Sequence, residues 1–166
     1  MRTRADEIAD ELLAMMATDQ RMRRAALTDR SAWDPGVDRQ QTSRLREIVD
    51  EIGWPSIQRI GAEAAHAAWL VVQHADEDRA FQKRCLALMR ALPPGAVSPR
   101  NIAYLEDRVL VGEGRPQRYG TQLRRGDDRA YEPVPIDDPD RVDERRAAVG
   151  LEPLAEYLAQ ARIRLG

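Results

Sequence analysis

Gln73 and His74 close the most apolar stretch of the sequence, Ala62 to Val72. A buried polar group without a hydrogen bond costs about 1–3 kcal/mol, so both side chains must meet partners. Histidine changes charge nearest to neutral pH, which makes His74 the first candidate for a general acid or base. A satisfied histidine at a helix end is the structural alternative. A second polar group lies further along, with Glu106, Asp107 and Arg108 followed by Gln117, Arg118, Tyr119, Gly120, Thr121 and Gln122. If the latter stretch is a strand, alternation turns Tyr119 and Thr121 one way and Gly120 and Gln122 the other. Such a set either walls a polar pocket or forms a network tying a hairpin to a helical bundle.

Other constellations point to less. His66 and His74 are eight positions apart, which on a helix separates their rings by about 80° and excludes an i, i+4 metal pair. Asp76-Glu77-Asp78-Arg79-Ala80-Phe81 lacks the glycine that a calcium loop carries at its sixth position. No metal site is therefore expected. No cofactor is expected either: Gly112-Glu113-Gly114 is too short for a phosphate loop, and there is no Gly-x-Ser-x-Gly elbow. Cys85 is the single cysteine and lies in an amphipathic pattern as a small apolar side chain. Arg145-Arg146, after Asp143-Glu144, reads as a solvated face.

With 166 residues and no internal repeat or linker, the chain is expected to fold as one domain, 1–166, around one core. A formal net charge of -2 gives no global field toward nucleic acid or an anionic membrane, so neither is an expected partner. The longest apolar run is broken by His66 and too short for a bilayer. Arg2 and Arg4 are followed at once by Asp6 and Glu7, unlike a secretory leader, so a cytoplasmic location is expected.

The elements that must position these residues follow from periodicity. Ile8, Leu12, Met15, Met16 and Met22 mark a first amphipathic helix over 4–27, and Thr42 to Glu51 a second, stopped by Gly53. Asp29 to Gly36 reads as a turn-rich connection. Trp54-Pro55-Ser56 opens a short helical turn. The run 62–72, apolar on nearly every face, reads as a central helix. Asp76 as N-cap predicts a helix over 77–92, and Ser98-Pro99 opens another containing Ile102, Leu105 and Val109. Residues 117–123 and 131–136, around the turn Arg125-Gly126-Asp127-Asp128, predict a small β-hairpin, with Pro133 and Pro135 confining its second arm to an edge. Asp137-Asp138-Pro139 predicts a capped helix through Val149, and a last helix uses Leu154, Tyr157, Leu158 and Ala161. The expected fold is mainly α: a single-domain orthogonal helical bundle with a hairpin at about 117–136 and C-terminal helices at about 139–165.

Gly53-Trp54-Pro55, Val72-Gln73-His74-Ala75-Asp76, Gln82, Asp107-Arg108-Val109, Gln117, Tyr119-Gly120-Thr121-Gln122, Val142-Asp143-Glu144-Arg145-Arg146 and Gly150-Leu151 occur in that order. In this succession the chain resembles an uncharacterised bacterial domain family. Where that family shows Asn-Thr before the second helix, this chain has Gln41-Thr42. The resemblance implies that the His74 and Tyr119 segments belong to one recurrent pattern sharing a polar pocket.

The expected function is that of a small enzyme acting on a polar metabolite or peptide by cofactor-independent acid/base chemistry: hydrolysis, cyclisation or elimination. His74 would move the proton, with Tyr119 or Asp107 as its partner. Gln73, Asp76, Arg108, Gln117, Thr121 and Gln122 would bind the substrate. The alternative is a non-catalytic binding or protein-interaction module, of the partner or immunity type. Stability separates the two, because groups held for function are held against stability.

Overall fold

The opening helix shows how local chemistry sets the elements. In the computed structural model, which describes residues 1–126 and 130–165, without the side chains of 163–165, helix α1 spans Arg4–Thr28. Thr3 and Asp6 form a reciprocal capping box at its start, satisfying amide groups that the first turn leaves without partners. The chain divides into two compact units, Met1–Val97 and Ser98–Gly166.

In the first unit α1 is followed by a 3₁₀ turn, Arg30–Ala32, and by α2, Pro35–Ile52. Helix α2 begins two turns before the sequence signal at Thr42. Asp34 accepts a hydrogen bond from the Gly36 amide, and Pro35 occupies the first helical position, where its missing N–H costs nothing. The short helix α3, Ile57–Ile60, leads through Gly61 into α4, Ala62–Gln73. Helix α4 packs against α1, α2, α3 and α5, the central position that its nearly all-round apolar surface requires. Ala64, Ala65, Ala67 and Ala68 are all buried there, and their small size lets neighbouring backbones approach closely. Leu45 and Ile48 of α2 are fully buried in the same core; truncating either to alanine would cost about 2–5 kcal/mol.

Helix α5 spans Arg79–Ala91, starting two residues later than the expected 77. Its cap is Asp78, whose carboxylate accepts the Phe81 amide, and not Asp76. Asp76 instead accepts from Gln82 and Arg79. The fully buried Gln82 also donates to the carbonyls of Val72 and Gln73. Those are carbonyls of the last turn of α4, and that of Val72 also accepts from the Ala75 amide at 3.2 Å. Gln82 thus fixes the backbone from which His74 projects.

In the second unit α6, Pro99–Gly112, is followed by β1, Leu123–Arg125, β2, Tyr131–Pro133, a 3₁₀ turn, Pro139–Arg141, α7, Val142–Ala148, and α8, Leu154–Leu165. The strands pair antiparallel, with Leu123 opposite Pro133 and Arg125 opposite Tyr131. The turn expected at 125–128 falls partly outside the described residues. The arms are shorter than expected: residues 118–122 form a loop, and an isolated parallel bridge joins Gln117 to Ile136. Asp138 makes no side-chain cap and adopts a left-handed conformation, so a 3₁₀ turn precedes α7. The overall expectation of a mainly helical fold with a C-terminal hairpin is met. Among the described residues, no helix is long and apolar enough to cross a membrane.

Candidate functional site

His74 is the residue that ends α4; its amide donates to the Leu70 and Val71 carbonyls at 3.2 Å, and its ring leaves the helix axis toward α1. There Nδ1 lies 3.0 Å from Oδ1 of Asp19, a carboxylate only 3% exposed, whereas the imidazole is 21% exposed. One side of the ring is anchored and the other reaches solvent. Asp19 also accepts from Nε of Arg23 at 2.7 Å, and Nη2 of Arg23 donates to Asp38 of α2 at 2.8 Å. A single guanidinium therefore spans two carboxylates.

These contacts set the acidities in opposite directions. Burial pushes the Asp19 carboxyl up, but the hydrogen bond and charge of His74, with those of Arg23, more than offset it and leave Asp19 below its ordinary value. At Asp38 burial wins over the attraction of Arg23 and His74, and the charge of Asp19 adds to it, so that carboxyl lies above its ordinary value. An ionised Asp19 can only accept a hydrogen bond, so Nδ1 of His74 carries the proton and neutral His74 presents a basic Nε2.

His74 and Asp38 line a cavity of about 470 Å³, with Trp33, Pro35, Thr42 and Asp76 among its other walls. Gln41, beside Thr42, points the other way and donates to the Met15 carbonyl at 2.9 Å, which pins α2 to α1. Gln73 is buried on α4, and among the described residues its Oε1 has no hydrogen-bond partner. One ligand atom each from Asp19, Asp38 and His74 lie within 4.8 Å of one another, a spacing that a cation could bridge. Arg23 already supplies one positive charge between the two acids.

The second group of sequence candidates forms a network within the second unit. Asp107, fully buried on α6, accepts from the amides of Arg118, Tyr119 and Thr121 and from the Thr121 hydroxyl, at 2.7 to 3.2 Å. Burial raises its carboxyl above the ordinary value despite these donors. The fully buried Gln117 behaves like a piece of strand: its Nε2 donates to the carbonyls of Gln122 and Val134, and its Oε1 accepts the Gln122 amide. Gln122 accepts from Arg108 at 3.1 Å and donates to the Thr121 hydroxyl. Arg146 of α7, also fully buried, donates to the Tyr119 carbonyl, and Arg145 to that of Arg118. At Gly120, φ is +70°, and a Cβ would come within 2.9 Å of Ile136 and Leu154. The loop needs glycine there. With the amides of 118, 119 and 121 drawn onto Asp107, the stretch cannot alternate as a strand.

The sequence candidates thus fall into two groups. His74 and Asp76 line the cavity of the first unit; Asp107, Arg108, Gln117, Tyr119, Thr121 and Gln122 make up the network of the second. A family model matches residues 6–164, almost the whole chain. The chain belongs to a family of unknown function (DUF6624). No curated protein and no solved structure matches it. Sequence reasoning missed Asp19, Arg23 and Asp38, which build the site around His74. One signal was available for Asp19: it follows Leu12 by seven positions, in phase with Ile8, Leu12 and Met22, the apolar residues that α1 buries. An acid on a buried stripe demands a partner.

Proposed function

We propose that this DUF6624 protein is a small enzyme in which His74 is the general acid and base, held by Asp19, for proton transfer to and from a polar metabolite or peptide in the cytoplasm. The observation that carries the reading is the 3.0 Å contact from Nδ1 of His74 to the buried Asp19, with the same ring lining a solvent-reachable cavity. Asp19 fixes the tautomer and stabilises the imidazolium that forms when Nε2 takes a proton. Returning that proton to a leaving group completes a hydrolysis, a cyclisation or an elimination without a cofactor. Proton transfer of this kind contributes about 10²- to 10⁴-fold in rate. Asp38 and Thr42, on the cavity wall, are the polar groups we assign to substrate binding, together with Asp76. Asp107 and Tyr119 are supports of the second unit's loop in this reading, and Asp19 takes the partner role that the sequence suggested for them.

The competing reading is an interaction module in which the same cluster only joins α1, α2 and α4. The two separate on stability and turnover measured together. Wild type and His74→Gln are assayed against a panel of small esters, amides and dipeptides, alongside thermal unfolding. The enzyme reading expects at least one turnover, reduced about 10²-fold or more by His74→Gln, with unchanged or increased stability. No turnover across the panel, with a large loss of stability, would favour the interaction module.

A further inference from the structure

The cavity walls carry an imbalance of charge at one place. Four carboxylates, Asp38, Asp76, Glu77 and Asp78, line it against two guanidiniums, Arg39 and Arg46. Both guanidiniums are already engaged: Arg46 pairs with Asp78 and lies over the Phe81 ring, and Arg39 lies 3.5 Å from Glu77. Asp76 pairs with Arg79. That leaves Asp38, which shares the Arg23 guanidinium with Asp19. Arg23 contacts Oδ1 of Asp38, and among the described residues none donates to Oδ2. Burial, with the charge of Asp19 adding to it, also holds the Asp38 carboxyl above its ordinary value despite Arg23 and His74.

Next to Asp38 stands Trp33, a 41% exposed indole on the cavity wall. Its ring already receives a cation, the Arg23 guanidinium, 4.7 Å from the centroid. An indole face and a carboxylate together favour a positive head, and the worth of the ring contact grows as the cation is desolvated. Pro35 and Ala75 add apolar wall to the same cavity.

We infer that the ligand of this cavity carries an ammonium or amidinium head, seated on Oδ2 of Asp38 and against Trp33, with an apolar or flat body along Pro35 and Ala75. The inference rests on the reading of this cavity as the active site and names the class of its substrate: an amine-bearing molecule whose reacting atom lies toward Nε2 of His74. A metal ion would draw on Asp19, Asp38 and His74 together, whereas an organic cation needs Asp38 and Trp33 and leaves the His74–Asp19 pair intact.

The test uses the full chain and four probes: benzamidine, benzylamine, benzoate and Mn²⁺. Binding is followed by the Trp33 indole N–H resonance, assigned with Trp33→Phe, and by calorimetry. Benzamidine and benzylamine are expected to bind saturably, benzoate at least tenfold more weakly. Asp38→Asn should weaken the two cations about tenfold, and so should Trp33→Ala, an exposed change that leaves the core untouched. His74→Gln should leave cation binding within about twofold of wild type while reducing turnover about 10²-fold or more, which separates this inference from the acid/base reading. Equal or tighter binding of benzoate, no binding of either organic cation, or Mn²⁺ binding that depends on Asp19, Asp38 and His74 in their place would overturn it.

Discussion

Replacing Asp107 by asparagine removes one acceptor oxygen and one charge from a pocket that holds four donors. The loss is set by where the new amide nitrogen points. Directed at Thr121, it would leave a buried backbone N–H facing another donor. Directed at Arg118, an exposed residue at the edge of the network, it would strand that residue's amide alone. The second orientation is the less costly, at about 1 kcal/mol for that amide. The other three hydrogen bonds survive but lose charge assistance, about 1 kcal/mol each, since bonds to an ionised group contribute roughly 1.5–3 and neutral ones 0.5–1.5 kcal/mol. Relief of the buried charge, which raises the carboxyl despite its donors, offsets part of this. The net expectation is a loss of about 2–4 kcal/mol. Amide hydrogen exchange at residues 118–121 reads it directly, as protection of those amides reduced about 30- to 10³-fold, each 1.4 kcal/mol being a factor of ten. Unchanged protection, or a loss below about 1 kcal/mol, would refute the view that Asp107 holds this loop.

Three further outcomes follow from the same geometry. Asp38 holds its proton more tightly folded than unfolded, so the stability linked to it is present below the ordinary carboxyl range and disappears as pH rises through the folded value. Asp38→Asn should therefore raise the melting temperature at neutral pH, with the gain shrinking toward about pH 3; a lower melting temperature at neutral pH would contradict this. Gly120→Ala forces a methyl to within 2.9 Å of Ile136 and Leu154 at a φ of +70°, and should cost about 2–4 kcal/mol in denaturant unfolding. Cys85 is buried, and that burial pushes its thiol up to about 12. Its reaction with a disulfide reagent at neutral pH should therefore be slow and should accelerate in step with unfolding as urea is added; fast labelling of the folded chain would be inconsistent with this.

The helices were legible where apolar residues recur at one period, as in α1, or cover nearly every face, as in 62–72, because the cost of exposing them leaves few alternatives. Boundaries were less so. Pro35 and Gly36 read as a turn in sequence, yet Asp34 and Pro35 together make a helix start. Asp76 reads as the cap of α5, yet its carboxylate is taken by Gln82 and Arg79, and Asp78 caps the helix in its place. His74 stood out because it closes an apolar helix. Its partner lies 55 positions earlier, and no periodic rule links residues across that span. The polar stretch 117–122 could be recognised as a group, but its conformation depends on a buried carboxylate eleven residues before Arg118, which draws the backbone away from strand pairing.

The tautomer of His74 tests the acid/base reading most directly, through the long-range ¹⁵N–¹H spectrum of the neutral imidazole in the folded chain. The proton is expected on Nδ1, toward Asp19, with Nε2 showing the resonance of an unprotonated ring nitrogen, and Asp19→Asn should mix the two tautomers. A neutral ring protonated on Nε2, unaffected by Asp19→Asn, would contradict the proposal that this carboxylate prepares His74 to accept a proton.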